Sequence, residues 1–175
     1  ITKAGAKFDV IGASYYPSWS ETTAESLAKS CEMLFGYYGK DVLIMESGYN
    51  FTPKRKDGYD GQLNHNASAY NDVYKYSQDG QKGFIAELIN TAKGAGYENS
   101  SDNEIVGSLY WDPMMIHVED QWGNNITGWA HFASNLKADV NVVENTTLFD
   151  FDGKAVAAWQ AYEGNQYSVY KEDEN

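Results

Sequence analysis

The chain has 175 residues, of which 15% are aromatic, and 25 acidic against 13 basic side chains leave a net charge of −12. That length suits one domain with a real core, and the charge repels a phosphate backbone, which excludes nucleic acid as a partner while leaving a neutral polymer indifferent. No uninterrupted apolar run approaches the roughly 20 residues that cross a bilayer, so no membrane span is expected.

The chain opens on ITKAGAKFDV, which reads as the tail of a preceding helix entering a strand. Phe8 to Ala13 (FDVIGA) is a nearly continuous apolar run, as in a strand buried on both faces. Pro17 ends it. In the stretch that follows, Ala24, Leu27, Ala28, Cys31, Leu34 and Phe35 recur at helical spacing, and Gly36 and Gly39 mark the helix end. Asp41 to Met45 (DVLIM) is a second buried strand. A long polar stretch without periodicity runs from Gly48 to about Ser77, and loops of that length are usually functional.

From Asp79 a second helix places Phe84, Ile85, Leu88, Ile89 and Ala92 on one side, closing at Gly94 and Gly96. Glu104 to Tyr110 (EIVGSLY) is a third buried strand, followed by another long loop from Trp111 to about Glu144. The chain then reads TLFDFDGKAVAAWQAY, a turn at Asp152-Gly153 before a short helix, and ends in the charged tail KEDEN. Alternating strands and helices argue for parallel strands with helical crossovers. Three strands are too few for a closed barrel, so part of a larger fold is expected to be missing.

The single cysteine, Cys31, excludes an intrachain disulfide and reads as core. Five N-x-S/T sequons begin at Asn50, Asn66, Asn99, Asn125 and Asn145. In an Asn-rich chain they arise by chance, and they are read here as ordinary asparagines. The aromatic content suits a sugar cleft, since pyranose C–H faces pack on rings, although rings also fill cores.

In α/β folds ligands bind at the carboxyl ends of the strands. Glu46 stands there, where DVLIM meets SGYNFT. If alternate residues point inward, Val42, Ile44 and Glu46 share the inward side. A nucleophile or general base needs that placement; the alternative is an acid that holds loop amides. Tyr15, Tyr16 and Trp19 occupy the matching end of the preceding strand. One tyrosine could donate to Glu46 and Trp19 could line a cleft, against a role as rings packed under a loop. Trp111 and Asp112 end the third strand, the tryptophan as a floor for a sugar or a core ring, the aspartate as acceptor for a sugar hydroxyl or anchor for a loop. Asp57, Asp60, Asn64 and His65 are spaced closely enough to ligate Ca²⁺, without an EF-hand pattern. Asp150 to Gly153 reads as a turn, and His117 and His131 as polar loop residues.

The segments FDVIGASYYPSW, YGKDVLIMESGYNFT and GSLYWDP, with QDGQKGF and TLFDFDGKAV, together resemble the arabinogalactan endo-β-1,4-galactanases, glycoside hydrolase family 53. The resemblance implies an α/β chain, residues 1–175 forming the sixth to eighth strands of a (β/α)8 barrel. It places Glu46 on the family's nucleophile, Tyr15, Tyr16 and Trp19 on its stretch after the sixth strand, and Trp111 on the tryptophan after the eighth. It also implies a secreted or periplasmic enzyme acting on galactan or arabinogalactan with no organic cofactor. Some members bind Ca²⁺ through a loop in the region of Asp57 to Asn66, with different spacing. Asp112 stands where members carry Glu. The family's acid/base glutamate follows the fourth strand and has no counterpart here, so the fragment alone is expected to be inactive. Two other readings remain at this point, a barrel glycosidase of mannanase or xylanase type and a non-catalytic sugar-binding module.

Overall fold

The computed structural model describes residues 2–96, 102–127 and 141–163. Strands β1 (Val10–Tyr15), β2 (Asp41–Ser47) and β3 (Ile105–Tyr110) form one parallel sheet in the order β1-β2-β3. The crossovers are helices α2 (Ala24–Tyr38) and α3 (Gln78–Gly94), and a one-turn helix α1 (Pro17–Ser20) follows β1. Pro17 does more than end the strand, since its fixed φ and missing N–H suit the first position of α1. The expected terminal helix is a 3₁₀ turn, Ala157–Ala161.

Local chemistry explains the helix limits. Thr23 caps α2 by accepting from the Ser26 amide at 3.3 Å, and Ser77 caps α3 by accepting from the Gly80 amide at 3.0 Å. The α2 helix runs through Gly36 and stops at Gly39, whose φ of 59° is the left-handed cap that glycine adopts without cost. Gly80 is there for a different reason, because a Cβ would lie 1.8 Å from the Lys75 carbonyl oxygen.

The apolar faces of both helices meet one face of the sheet. Ala24, Ala28, Cys31 and Phe35 of α2 and Phe84, Ile85, Leu88 and Ile89 of α3 form a single core with Tyr15, Val42, Ile44 and Ile105. Ile11 and Ala13 pack against it from β1. The opposite face is bare and still apolar, with Val10 43%, Met45 45% and Leu109 51% exposed.

The long segment after β2 is anchored. The Tyr49 ring stacks on Phe84 at 4.6 Å, Asn50 Nδ2 donates to the Leu63 carbonyl at 2.6 Å, and Phe51, Leu63, Ala67 and Tyr70 are buried. Gln81 of α3 pins its base, Nε2 lying 2.9 Å from the Tyr49 carbonyl and 3.1 Å from that of Thr146. The sequon asparagines belong to this scaffold. Asn50, Asn125 and Asn145 are buried, and Asn66 donates to Tyr49 Oη and to the Tyr74 carbonyl. None of these four amides faces solvent as a glycan acceptor must; Asn99 lies outside the described residues.

Candidate active site

The three strands bring their carboxyl ends together, and β2 places Glu46 among them by an irregularity. Ala13 pairs with Ile44 and Ser14 with Glu46, so Met45 is an extra residue on β2. Simple alternation would put Glu46 on the side of Val42 and Ile44, as the sequence suggested. Those two residues face the helices instead. One inserted residue reverses the side-chain phase and pairs Glu46 with Ser14 on the bare face. Met45 lies over Gly12 there, its Cγ 2.8 Å from where a glycine Cβ would stand.

Tyr16 donates its hydroxyl to Glu46 Oε2 at 3.3 Å. Burial pushes the Tyr16 hydroxyl well above the ordinary phenol range, and the Glu46 charge adds to this, which keeps the proton on Tyr16. The Trp19 ring leans on Tyr16 at 4.5 Å and is half exposed. Trp111 joins the group through its backbone. Its amide donates to the Ser47 carbonyl at 2.8 Å, and its side chain is 39% exposed. The Trp111–Asp112 peptide bond is cis.

Gly48 lets these parts meet, since a Cβ there would lie 2.8 Å from the Trp111 carbonyl oxygen and 3.3 Å from Tyr16 Cε1. Asp112 Oδ2 is buried and has no hydrogen-bond partner among the described residues. Burial, and secondarily the Glu46 charge, raises the Asp112 carboxyl above its usual range. Glu46, Tyr16, Trp19, Trp111 and Asp112 thus form one cluster.

Tyr15 does not join them. It ends β1 on the helix side, 2% exposed, with its ring 6.0 Å from Phe84 and its hydroxyl donating to the Thr22 carbonyl at 2.9 Å. Alternation along β1 sends Tyr15 into the core, and Tyr16, one residue on, reaches Glu46.

The four residues expected to hold Ca²⁺ do not converge. Asp57 pairs with Arg55 at 2.7 Å, Asp60 with Lys54 at 2.5 Å, and His65 with Glu21 at 3.0 Å, while Asn64 Oδ1 faces the His65 ring at 2.8 Å. Carboxylates already matched by Arg and Lys are poor ligands for a hard cation, and among the described residues no group of three His, Cys, Asp or Glu is arranged to hold a metal. Asp150 to Gly153 is the expected turn, with Asp150 Oδ1 accepting from the amides of Asp152 at 3.0 Å and Lys154 at 2.9 Å. His117, read from the sequence as an ordinary loop residue, is held between two carboxylates. His131 lies outside the described residues. Neither Gly48 nor the Met45 irregularity carries a sequence motif, and sequence reasoning missed both. Among the described residues no helix is long and apolar enough to cross a membrane.

Comparison with known proteins places this geometry. An arabinogalactan endo-β-1,4-galactanase of Cellvibrio japonicus is 30% identical over 118 residues, which cover 66% of this chain and 29% of that protein. An endo-β-1,4-galactanase of Bacillus subtilis is 24% identical over 180 residues, covering 93% of this chain and 40% of that protein. Among solved structures, the Ignisphaera aggregans GH53 catalytic domain superposes with a TM-score of 0.71 at 28% identity, over 93% of this chain and 40% of its own. A fungal β-1,4-galactanase at 22% identity and a TM-score of 0.56 shares the fold. The chain therefore spans about two fifths of the length of relatives such as these. The glycosyl hydrolase family 53 model matches residues 1–162, and the chain belongs to that family.

Proposed function

We propose that this chain supplies the sixth, seventh and eighth strands of a (β/α)8 barrel that hydrolyses β-1,4-galactan, in arabinogalactan or pectin side chains outside the cell, with retention of configuration. The observation that carries the reading is Glu46. It turns onto the bare sheet face at the strand ends, holds the Tyr16 hydroxyl, and lies in one cluster with two exposed indoles. The bare apolar face supports the barrel, since parallel sheets are normally covered on both faces. The names of the relatives support the substrate.

In this mechanism Glu46 attacks the anomeric carbon as the bond to the leaving oxygen breaks, giving a covalent galactosyl-enzyme. A second carboxyl protonates the leaving oxygen, then deprotonates the water that releases the sugar. Tyr16, donating to Oε2, orients the carboxylate so that Oε1 faces the sugar. Trp19 and Trp111 offer ring faces to pyranose C–H groups, and the Asp112 carboxyl, beside Glu46, offers an acceptor to a sugar hydroxyl. Retaining hydrolysis needs its two carboxyls roughly 5–5.5 Å apart. The family's acid/base residue belongs to the strands absent from this chain, so the chain alone should not turn over. The chemistry asks for no organic cofactor.

The test is covalent trapping in the complete protein with a 2-fluoro galactobioside. Mass gained on the peptide containing Glu46, and lost in Glu46→Gln, supports the mechanism. A protein that binds galactan and neither cleaves it nor takes the label is a sugar-binding module. Faster cleavage of mannan or xylan than of galactan in a polysaccharide panel moves the specificity elsewhere in the barrel glycosidases.

A further inference from the structure

One ionisable cluster, anchored on the buried Glu144 and open to solvent at Glu119 and Lys56, has no part in the chemistry above. His117 follows β3, and its side chain is 9% exposed. Its Nδ1 lies 2.7 Å from Glu144 Oε2, and its Nε2 lies 2.6 Å from Glu119 Oε1. A carboxylate only accepts, and a neutral imidazole carries a single N–H. Two such contacts need two protons, whichever heavy atom holds each, and a neutral ring between two carboxylates brings one.

The other groups facing the ring are accounted for among the described residues. Asn125 Nδ2 lies 3.3 Å from Nδ1 and donates to Glu144 Oε2 at 3.1 Å. Lys56 reaches both acids, its Nζ 2.9 Å from Glu119 Oε1 and its backbone amide 2.8 Å from Glu144 Oε1. The Phe151 ring stands edge-on at 6.3 Å, and Asp152 lines the same 370 Å³ cavity. The set joins three segments: the loop after β2 through Lys56, the loop after β3 through His117, Glu119 and Asn125, and the later segment through Glu144. With a charged imidazole, His117 and Lys56 balance Glu119 and Glu144. With a neutral one the cluster keeps a net negative charge, and one N···O contact becomes a lone pair facing an anion.

We propose that His117, Glu119, Glu144 and Lys56 form a proton-dependent clip that fastens the loops after β2 and β3 together in mild acid and frees them as the imidazole gives up its second proton. The sign follows from the charge held: the fastening is complete while the imidazole is charged and is lost on the alkaline side, as it gives up that charge. The proposal stands on the loop contacts alone and does not depend on the glycosidase reading.

The test uses the complete protein, with ¹⁵N spectra of the imidazole and hydrogen exchange at the Lys56 amide, corrected for the intrinsic rate. Both ring nitrogens should carry protons at the acid end of a pH series and one at its alkaline end. Protection at Lys56 should fall at least tenfold over that interval, roughly the change expected for one charged hydrogen bond. His117→Gln, which cannot titrate, should show the lower protection at both ends. A ring with one proton at the acid end would overturn the clip, and this readout needs no variant to fold. So would Lys56 protection that follows the same pH course in wild type and His117→Gln.

Discussion

Gly48→Ala tests the packing of the candidate site with the smallest change available, one methyl group. The new Cβ would stand 2.8 Å from the Trp111 carbonyl oxygen, 3.3 Å from Tyr16 Cε1 and 3.8 Å from Leu63 Cδ1. The first of these is more than half an ångström short of the ~3.5 Å at which non-bonded atoms rest. The crowded atom is backbone, tied by the Trp111 amide to the Ser47 carbonyl at 2.8 Å, and cannot rotate aside. Relief requires the ends of β2 and β3 to part or the Tyr16 ring to move. Overpacking of this kind costs roughly 1–3 kcal/mol, and a chain of this size loses roughly 2–4 °C of Tm per kcal/mol. The Tyr16–Glu46 hydrogen bond is already 3.3 Å long, so little displacement breaks it. Misplacing a catalytic group by about 1 Å costs up to a hundredfold in rate, and a shift of half that should cost about tenfold in kcat. Urea unfolding and initial rates on galactan, both on the complete protein, measure the two effects. If Gly48→Ala keeps wild-type stability within ~0.5 kcal/mol and a wild-type rate, the convergence of Gly48, Tyr16 and Trp111 is wrong.

Tyr16→Phe should lower kcat roughly ten- to a hundredfold, the range for a hydrogen bond to a charged group, with little change in Tm; an unchanged kcat would remove Tyr16 from the site. Tyr15→Phe should do the reverse, lowering stability by ~1 kcal/mol through the lost bond to Thr22 and sparing the rate, as paired melting and rate measurements would show. Asp112→Asn tests a pH effect. A carboxyl raised in the folded state stabilises it at low pH, and that contribution is lost as pH rises through the carboxylate range. Wild type should therefore lose stability relative to Asp112→Asn as pH rises through and beyond the ordinary aspartate range. Parallel Tm-versus-pH curves for the two proteins would contradict it.

The repeating pattern was legible because apolar periodicity reports burial against a helix, which extends over many residues. Phe84, Ile85, Leu88 and Ile89 place α3 within a residue of its observed start, and the ladder of Val42 and Ile44 gives β2. Glu46 could be named from its position at a strand end. Its side-chain direction could not, because that depends on one extra residue at Met45, and a bulge leaves no periodic trace. The Tyr15–Tyr16 pair shows the same limit, since composition puts two tyrosines at a strand end and only the register says which is buried. The segment from Asp57 to His65 shows the same limit. Asp57 and Asp60 have the right donors, but Arg55, two residues before Asp57, and Lys54, six residues before Asp60, pair with them in this structure. His117 has no local motif because its partners, two and twenty-seven residues away, meet only when the loops close.

The bulge and the bare face constrain each other. Were Glu46 in simple alternation with Val42 and Ile44, it would face α3 and the core, where an ionised carboxylate is expensive and no sugar could reach it. The phase change puts it instead on the face where Val10, Met45 and Leu109 stand exposed. Under the proposed reading that face is the barrel interior, and the strands that cover these three side chains are the ones that bring the second carboxyl. Its place is then restricted. It must come from the side that covers this face, at the height of Ser14 and Glu46, to stand roughly 5–5.5 Å from the Glu46 carboxylate.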